Sequence, residues 1–242
     1  ILQLNCINWL MKAIIFSLLG WMFLPVMDGF AKFLSDDLPI LQITWARYFF
    51  TVFFTLPIMI FFFKKQLVWS DKPKLQILRG IILLSANICF FYAISIISLA
   101  KALTLAFVAP LIVTAFSPVM LGEKVGFRRW TAVVVGFTGS LVVIRPGFVE
   151  LNFASLAALG TGILYGFYLI ITRKLSTSDN PLLTLLMTGM VGAILVSAII
   201  PFYWVKPSLN QWSLMAGIGV FACIGHLFLI LSLKYADASK LA

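Results

Sequence analysis

The chain alternates long apolar runs with short polar breaks. The runs fall at roughly 12–34, 39–63, 76–97, 99–121, 127–145, 153–173, 181–204 and 210–234. Each is near or above the roughly 20 residues that cross a bilayer core as a helix. The breaks carry turn chemistry, as in Ser35-Asp36-Asp37-Leu38-Pro39, Ser70-Asp71-Lys72-Pro73, Gly122-Glu123, Pro146-Gly147, Ser176 to Pro181 and Lys206-Pro207-Ser208. Backbone polar groups find no water in lipid, so runs of this length are predicted as helices. Barrel strands would instead alternate polar and apolar over about 10 residues, and this chain does not. The pattern predicts an all-α polytopic membrane helix bundle with about eight helices.

Composition narrows the class further. Of 242 residues, 62% are hydrophobic, 11% are charged and 23 are Phe. Soluble domains carry about 25% charged residues, and disordered chains are polar. The net charge of +10 comes from short clusters between the runs, such as Lys64-Lys65, Lys72/Lys74/Arg79 and Lys124/Arg128/Arg129. That distribution sets membrane topology and gives no reason to expect nucleic acid. With the N-terminus in the cytoplasm, 13 Lys and Arg fall on the cytoplasmic side and 4 on the other, while Arg47 lies within a span. The expected topology is multi-pass, with a cytoplasmic N-terminus.

Ile1 is not an ordinary start, whereas Met11-Lys12 before an apolar run is. Residues 1–11 are therefore expected to be a non-native leader. The run after Met11 is too long for a signal-peptide core and lacks an A-x-A exit, so it reads as the first span.

An internal repeat is visible. Leu34-Ser35…Pro39 recurs as Leu175-Ser176…Pro181, and Ser98-Leu99-Ala100-Lys101 corresponds to Asp237-Ala238-Ser239-Lys240 at an offset of 139. The first copy holds five spans, an odd number, so the second enters the membrane from the opposite side. Inverted repeats of this kind mark alternating-access transporters, with a site near the midplane. Leu103 corresponds to Ala242, which leaves the 43 residues Thr104 to Pro146 without a counterpart. The expected organisation is a first repeat at 12–147 (helices 1–5) and a truncated second at 153–242 (helices 6–8 and the start of 9), with helices nine and ten missing.

The stretch Asn87 through Gly147 carries a Phe-Tyr-Ala-Ile helix, Leu-Ala-Lys-Ala-Leu, the Pro110 helix, Leu121-Gly122-Glu123-Lys124, Arg128-Arg129-Trp130 and a Gly-rich helix ending Arg145-Pro146-Gly147. With Trp45-Ala46-Arg47-Tyr48 and Ala236-Asp237-Ala238-Ser239, it resembles the EamA-type members of the drug/metabolite transporter superfamily. The resemblance covers essentially all of 12–242. It implies ten helices in two inverted five-helix repeats and solute movement across the bacterial inner membrane. The spacing Asp28…Lys32…Pro39…Gln42…Arg47 also resembles an alphaproteobacterial-type subgroup, whose members include carriers for S-adenosylmethionine and riboflavin.

Polar residues inside spans need a reason, because a charge there costs roughly 2.5–3.5 kcal/mol on insertion scales. Arg47 sits in a stripe with Thr44, Tyr48, Thr51 and Thr55. It reads as a cavity-facing cation for a carboxylate or phosphate, as a partner of Asp28, or as an Arg that snorkels or knits helices. Asp28 and Lys32 are four apart, with Ser17 and Trp21 on roughly the same face. Asp28 reads as a proton or cation acceptor, or as half of a structural pair. His226 corresponds to Asn87 at the 139 offset, both mid-span, and reads as a proton shuttle or an interhelical hydrogen-bond donor. Tyr165 and Tyr168 share a face, and Tyr92 with Ser95 makes a similar one. Aromatic walls suit amphipathic or cationic solutes. Trp9, Trp69, Trp204 and Trp212, near span ends, read as interface belts.

Gly136-xxx-Ser140, Thr188-xxx-Gly192 and Gly162-xxx-Gly166 are expected to let helices approach closely. Pro25, Pro57, Pro110, Pro118 and Pro201 are expected to interrupt helices, and Glu123 to fix the packing of helix ends. Cys6, Cys89 and Cys223 form no CxxC and no metal spacing with His226, so neither metal, cofactor nor disulfide framework is expected. No Gly-rich phosphate loop, GxSxG or HExxH is present, and no enzyme is expected. The reading is a secondary carrier of small organic metabolites or drugs, with a cavity lined by helices one, two, three, six and eight. Its partners are the solute, the bilayer and, since eight helices need not close a cavity alone, a second copy in a homodimer. The alternatives are a structural or regulatory membrane subunit and an intramembrane enzyme on lipid-linked substrates. For the latter, Asp36-Asp37 is the only acidic pair, without a DDxxD continuation.

Overall fold

The computed structural model describes the backbone of residues 2–62, 70–144 and 152–241, and the side chains in that set apart from those of residues 2–8, 62, 140, 141, 143 and 144. Lys64, Lys65, Trp69 and Arg145-Pro146-Gly147 lie outside the described residues, as do the side chains of Cys6 and Ser140. Helices α1 (Leu2–Leu34), α2 (Ile40–Phe62), α3 (Pro73–Ile96), α4 (Leu99–Ala106) and α5 (Ala109–Leu121) are followed by α6 (Phe127–Ile144), α7 (Phe153–Ser176), α8 (Pro181–Ser197), α9 (Leu209–Tyr235) and α10 (Ala238–Leu241). Among the described residues, six segments are long and apolar enough to cross a membrane, with α4 and α5 counted together, and α8 is a shorter apolar helix of 17 residues. The chain is a polytopic helical bundle.

Local chemistry sets the helix starts. Pro73 and Pro181 stand in the first turn, where a missing N–H costs nothing. Asn152 and Asn180 accept from Ser155 N and Leu182 N, each at 2.9 Å. Ser208 and Gln211 form a reciprocal capping box at α9. Large apolar side chains face outward, with Leu18, Met22, Phe61 and Val135 all at least two-thirds exposed. Such a surface is suited to lipid and not to water.

One expectation is met and two are corrected. The fourth run forms one candidate span, Leu99–Leu121, whose helix breaks at Phe107–Val108, just before Pro110, which has no N–H to extend the ladder. Pro25, Pro57 and Pro118 do not interrupt their helices, and Pro201 lies in a 3-10 turn, Ile200–Tyr203, beyond α8. Arg79, grouped above with the loop cations, is a fully buried residue of α3.

The packing repeats when α1–α3 are exchanged with α7–α9. Helix α1 packs on α9 and α7 on α3; α2 packs on α9 and α8 on α3; α2 also meets α8. Gly80 and Gly219, 139 residues apart, occupy equivalent contacts: a Cβ on Gly80 would meet Val191 of α8, and one on Gly219 would meet Phe50 of α2. Two polar ties follow the same rule. Asp37, after α1, accepts from Gln211 at the start of α9 (3.1 Å). Asp179, after α7, accepts from Gln76 at the start of α3 (2.6 Å). These ties sit at opposite ends of the bundle, because α2 runs from one to the other.

Candidate functional site

The helices border a partly open cavity of about 560 Å³, within the usual range for small-molecule sites. Helices α1, α2, α3, α7 and α9 line it, joined by the α4–α5 break and α10. Five polar residues singled out in the sequence converge here: Asp28, Arg47, Asn87, Tyr165 and His226, with Trp21 beside them. Asn87 on α3 and His226 on α9, 139 residues apart, both line this cavity.

Arg47 is 3% exposed. Its Nε donates to Met27 Sδ at 3.4 Å and its Nη2 lies 3.2 Å from His226 Nε2. Its Nη1 is buried without a hydrogen-bond partner among the described residues. The guanidinium stands 5.0 Å from the Tyr48 ring centroid. A guanidinium carries five N–H donors and no acceptor, so a thioether sulfur and one imidazole nitrogen leave it under-satisfied.

The tautomer of His226 follows from its neighbours. Nδ1 lies 3.2 Å from the Ala222 carbonyl oxygen, which only accepts, so Nδ1 carries the hydrogen and donates. Arg47 only donates, so Nε2 accepts. While that contact holds, Nε2 has no lone pair free for a proton.

Asp28 is buried, lines the cavity, and makes no hydrogen bond or ion pair among the described residues. Neither Lys32 nor Arg47 stands within 4 Å of it as an ion-pair partner, though it interacts electrostatically with Arg47. Its chain neighbour Met27 is the residue that accepts from Arg47. Asn87 donates to Tyr48 Oη and to the Leu83 carbonyl oxygen, both at 2.7 Å. The Tyr165 hydroxyl is buried without a partner, and its ring packs edge-on to Trp21 with centroids 6.0 Å apart.

Other expected members lie elsewhere. Tyr92 is 38% exposed and does not line the cavity. Tyr168 is buried beside it, its ring tilted against those of Tyr165 and His226, with its hydroxyl engaged by Arg79. The threonines of the Arg47 stripe bond back to their own helix, Thr44 to Ile40 O and Thr51 to Arg47 O, because a buried hydroxyl one turn on reaches that carbonyl.

Of the small-residue pairs, Gly162 and Gly166 receive the α4–α5 break: a Cβ on Gly162 would lie 2.6 Å from Ala106 O, and one on Gly166 would lie 2.7 Å from Ile112 Cβ. Gly192 abuts the Tyr48 ring. Among the described residues, nothing lies within 4 Å of where a Gly136 Cβ would be. Pro110 lines the cavity beside the break. Glu123 accepts from the backbone N–H groups of Ala238 and Ser239 (2.8 and 3.0 Å) and stands 3.9 Å from Arg173.

Sequence reasoning missed a second polar cluster. Arg79 donates to Thr172 Oγ1 (2.7 Å), Thr188 Oγ1 (2.6 Å), Thr184 O (3.0 Å), Tyr168 Oη (2.9 Å) and Gln76 Oε1 (3.4 Å). Gln76 relays to Asp179, which also accepts from Ser70. The signal was periodicity, since positions 76, 79, 80, 83, 86, 87 and 90 follow one helix face.

The profile of the EamA-like transporter family matches residues 4–145. The chain is 25% identical over 239 residues to the S-adenosylmethionine uptake transporter of Rickettsia prowazekii (strain Madrid E), covering 99% of this chain and 79% of that one. It is 26% identical to the pseudopaline exporter CntI of Pseudomonas aeruginosa (strain UCBPP-PA14), covering 98% and 83%. It is 27% identical to a riboflavin transporter of Vibrio cholerae serotype O1, covering 57% and 47%. A solved crystal structure superposes with a TM-score of 0.77 at 16% identity, covering 95% of this chain and 81% of that one, which establishes the shared fold.

Proposed function

Because the chain belongs to the EamA-like transporter family, we propose that it is a secondary transporter of a small organic metabolite or drug that works by alternating access. The observation that carries this reading is the central cavity, where Asp28, Arg47, Asn87 and His226 converge from both halves of the chain. The exchange of packing partners between α1–α3 and α7–α9 supports two inverted repeats, here taken as 12–147 and 153–242, that rock about that cavity. The excess of Lys and Arg in one set of loops supports a cytoplasmic N-terminus in the bacterial inner membrane.

Its relatives are named for S-adenosylmethionine, riboflavin and pseudopaline, and these head the substrate panel. The test is counterflow in proteoliposomes with labelled S-adenosylmethionine, riboflavin, amino acids and cationic drugs. Saturable exchange of one compound supports the carrier reading. No exchange by folded, correctly inserted protein across the panel counts against it.

A further inference from the structure

The two repeats share their local geometry at corresponding helix ends. Arg173 and Ser176 close α7 as Lys32 and Ser35 close α1. Ser35 Oγ donates to the Lys32 carbonyl oxygen (2.7 Å) and Ser176 Oγ to that of Arg173 (2.8 Å). At the ends of α3 and α9, Ile97 N–H donates to Ala93 O (2.9 Å) and Ala236 N–H, 139 residues on, to Ser232 O (3.2 Å). Ile94 and Ser95 are thus the counterparts of Leu233 and Lys234.

The reach from helix to helix does not repeat. Arg173 Nη1 donates to the carbonyl oxygens of Leu233 (2.6 Å) and Lys234 (3.3 Å), and Ser176 Oγ donates to Leu233 O (3.0 Å). These are last-turn carbonyls that α9 itself leaves unpaired, and a cation there also meets the negative end of the helix dipole. Asp237 and Glu123 stand 3.5 and 3.9 Å from the same guanidinium. At the opposite end of the bundle, Ser35 reaches no farther than Lys32 O. Among the described residues, Lys32 makes no hydrogen bond or ion pair, and no side chain donates to the carbonyl of Ile94 or Ser95. Helix α7 also packs more broadly on α9 than α1 does on α3.

Contacts present at both ends, such as Asp37 with Gln211 and Asp179 with Gln76, do not tell the ends apart. This one does. Rocking of inverted halves about a fixed site closes one end as it opens the other, so a contact made at one end only marks the end that is closed. We propose that Arg173 and Ser176, clamped on the last carbonyls of α9, are one half of a two-ended latch. Its other half is Lys32 and Ser35, which close on Ile94 and Ser95 when the bundle rocks the other way. The latch deepens the transporter reading and rests on it. Its halves are unequal, because a guanidinium offers five donors in a fixed fork where an ammonium is a point charge, and Ser98 stands where the α7 end has Asp237. The latch therefore holds the resting protein closed at the α7 end.

The test is spin-label distance measurement on the full chain in nanodiscs, with Cys6, Cys89 and Cys223 replaced by alanine and the melting temperature checked against wild type. Thr177→Cys with Lys234→Cys reports the α7 end, and Asp36→Cys with Ile96→Cys reports the α1 end; all four side chains are exposed. Arg173→Gln combined with Ser176→Ala removes three helix-to-helix hydrogen bonds, together worth roughly tenfold in population. The longer 177–234 population should rise by about that factor, while 36–96 gains a shorter one. Lys32→Arg adds donors at the free end and removes no contact, and it should move both distances in the same directions.

Unchanged distances in the double variant overturn the latch. So does a longer 177–234 distance with 36–96 unchanged, which is only fraying of α9. If the double variant fails to fold, Lys32→Arg alone decides, and fixed distances there overturn the proposal. The two readings fail differently. Opposed distance changes in protein that exchanges no solute leave the latch and count against transport. Solute exchange with both distances fixed in every variant sinks the latch and leaves transport.

Discussion

Two buried arginines in this bundle have opposite surroundings. Arg79 on α3 is fully buried, and its guanidinium meets oxygen acceptors from α3, α7 and α8 and stands 4.7 Å over the Tyr168 ring. Arg47 on α2 is nearly as buried, yet its guanidinium donates to a thioether and an imidazole, and its Nη1 finds no geometric hydrogen-bond partner among the described residues. The same side chain therefore does two jobs. Where every guanidinium nitrogen finds an acceptor in the protein, the arginine joins helices. Where the protein under-satisfies it beside a cavity, the arginine keeps donor capacity that we propose a solute meets.

The largest effect on stability is expected at Arg79. Interhelical hydrogen bonds in membranes average about 0.6 kcal/mol each, and those of Arg79 that cross helices are lost together in Arg79→Ala. The loss comes to on the order of 2–3 kcal/mol, with buried threonine and tyrosine acceptors left bare. The protein should melt markedly earlier and purify as aggregate by size exclusion. A melting temperature equal to wild type would erase the distinction between the two arginines.

Next comes Gly162→Ala. The added Cβ would lie 2.6 Å from Ala106 O, a backbone atom that cannot move aside alone. Overpacking of this kind costs about 1–3 kcal/mol, and the α4–α5 break beside the cavity must shift, so melting temperature and solute affinity should both fall. Gly136→Ala is the matched control, with nothing within 4 Å of the new methyl. It should melt at or slightly above the wild-type temperature, given the helix preference of Ala over Gly.

Glu123→Gln should have a smaller effect than Gly162→Ala. The carboxylate accepts from two N–H groups at the start of α10 and faces Arg173. A charge at a helix start is worth about 0.3–1 kcal/mol, and the amide keeps one acceptor. A small drop in melting temperature with unchanged solute affinity is expected, and a lost affinity would place Glu123 in the transport path.

The bundle was legible because apolar runs of membrane length leave few choices. Asp28, Arg47, Asn87 and His226 were legible for a related reason: a polar residue amid an apolar run stands out as costly. Arg79 was not, because it lies at the edge of its run, beside Lys72 and Lys74, where a cation reads as a loop residue. Tyr92 shows the converse. An aromatic ring loses nothing by facing lipid, so pattern alone does not separate a cavity wall from a bilayer contact. Partnerships between distant segments, such as Gln76 with Asp179 or Glu123 with Ala238, exist only after the helices have packed.

The most direct test of the account is counterflow measured side by side for wild type and Arg47→Gln, each verified as folded and inserted. The account predicts saturable exchange in the wild type and its loss in Arg47→Gln, with the unliganded melting temperature nearly unchanged. Full exchange in Arg47→Gln would contradict it, because the idle guanidinium would then have no solute to meet.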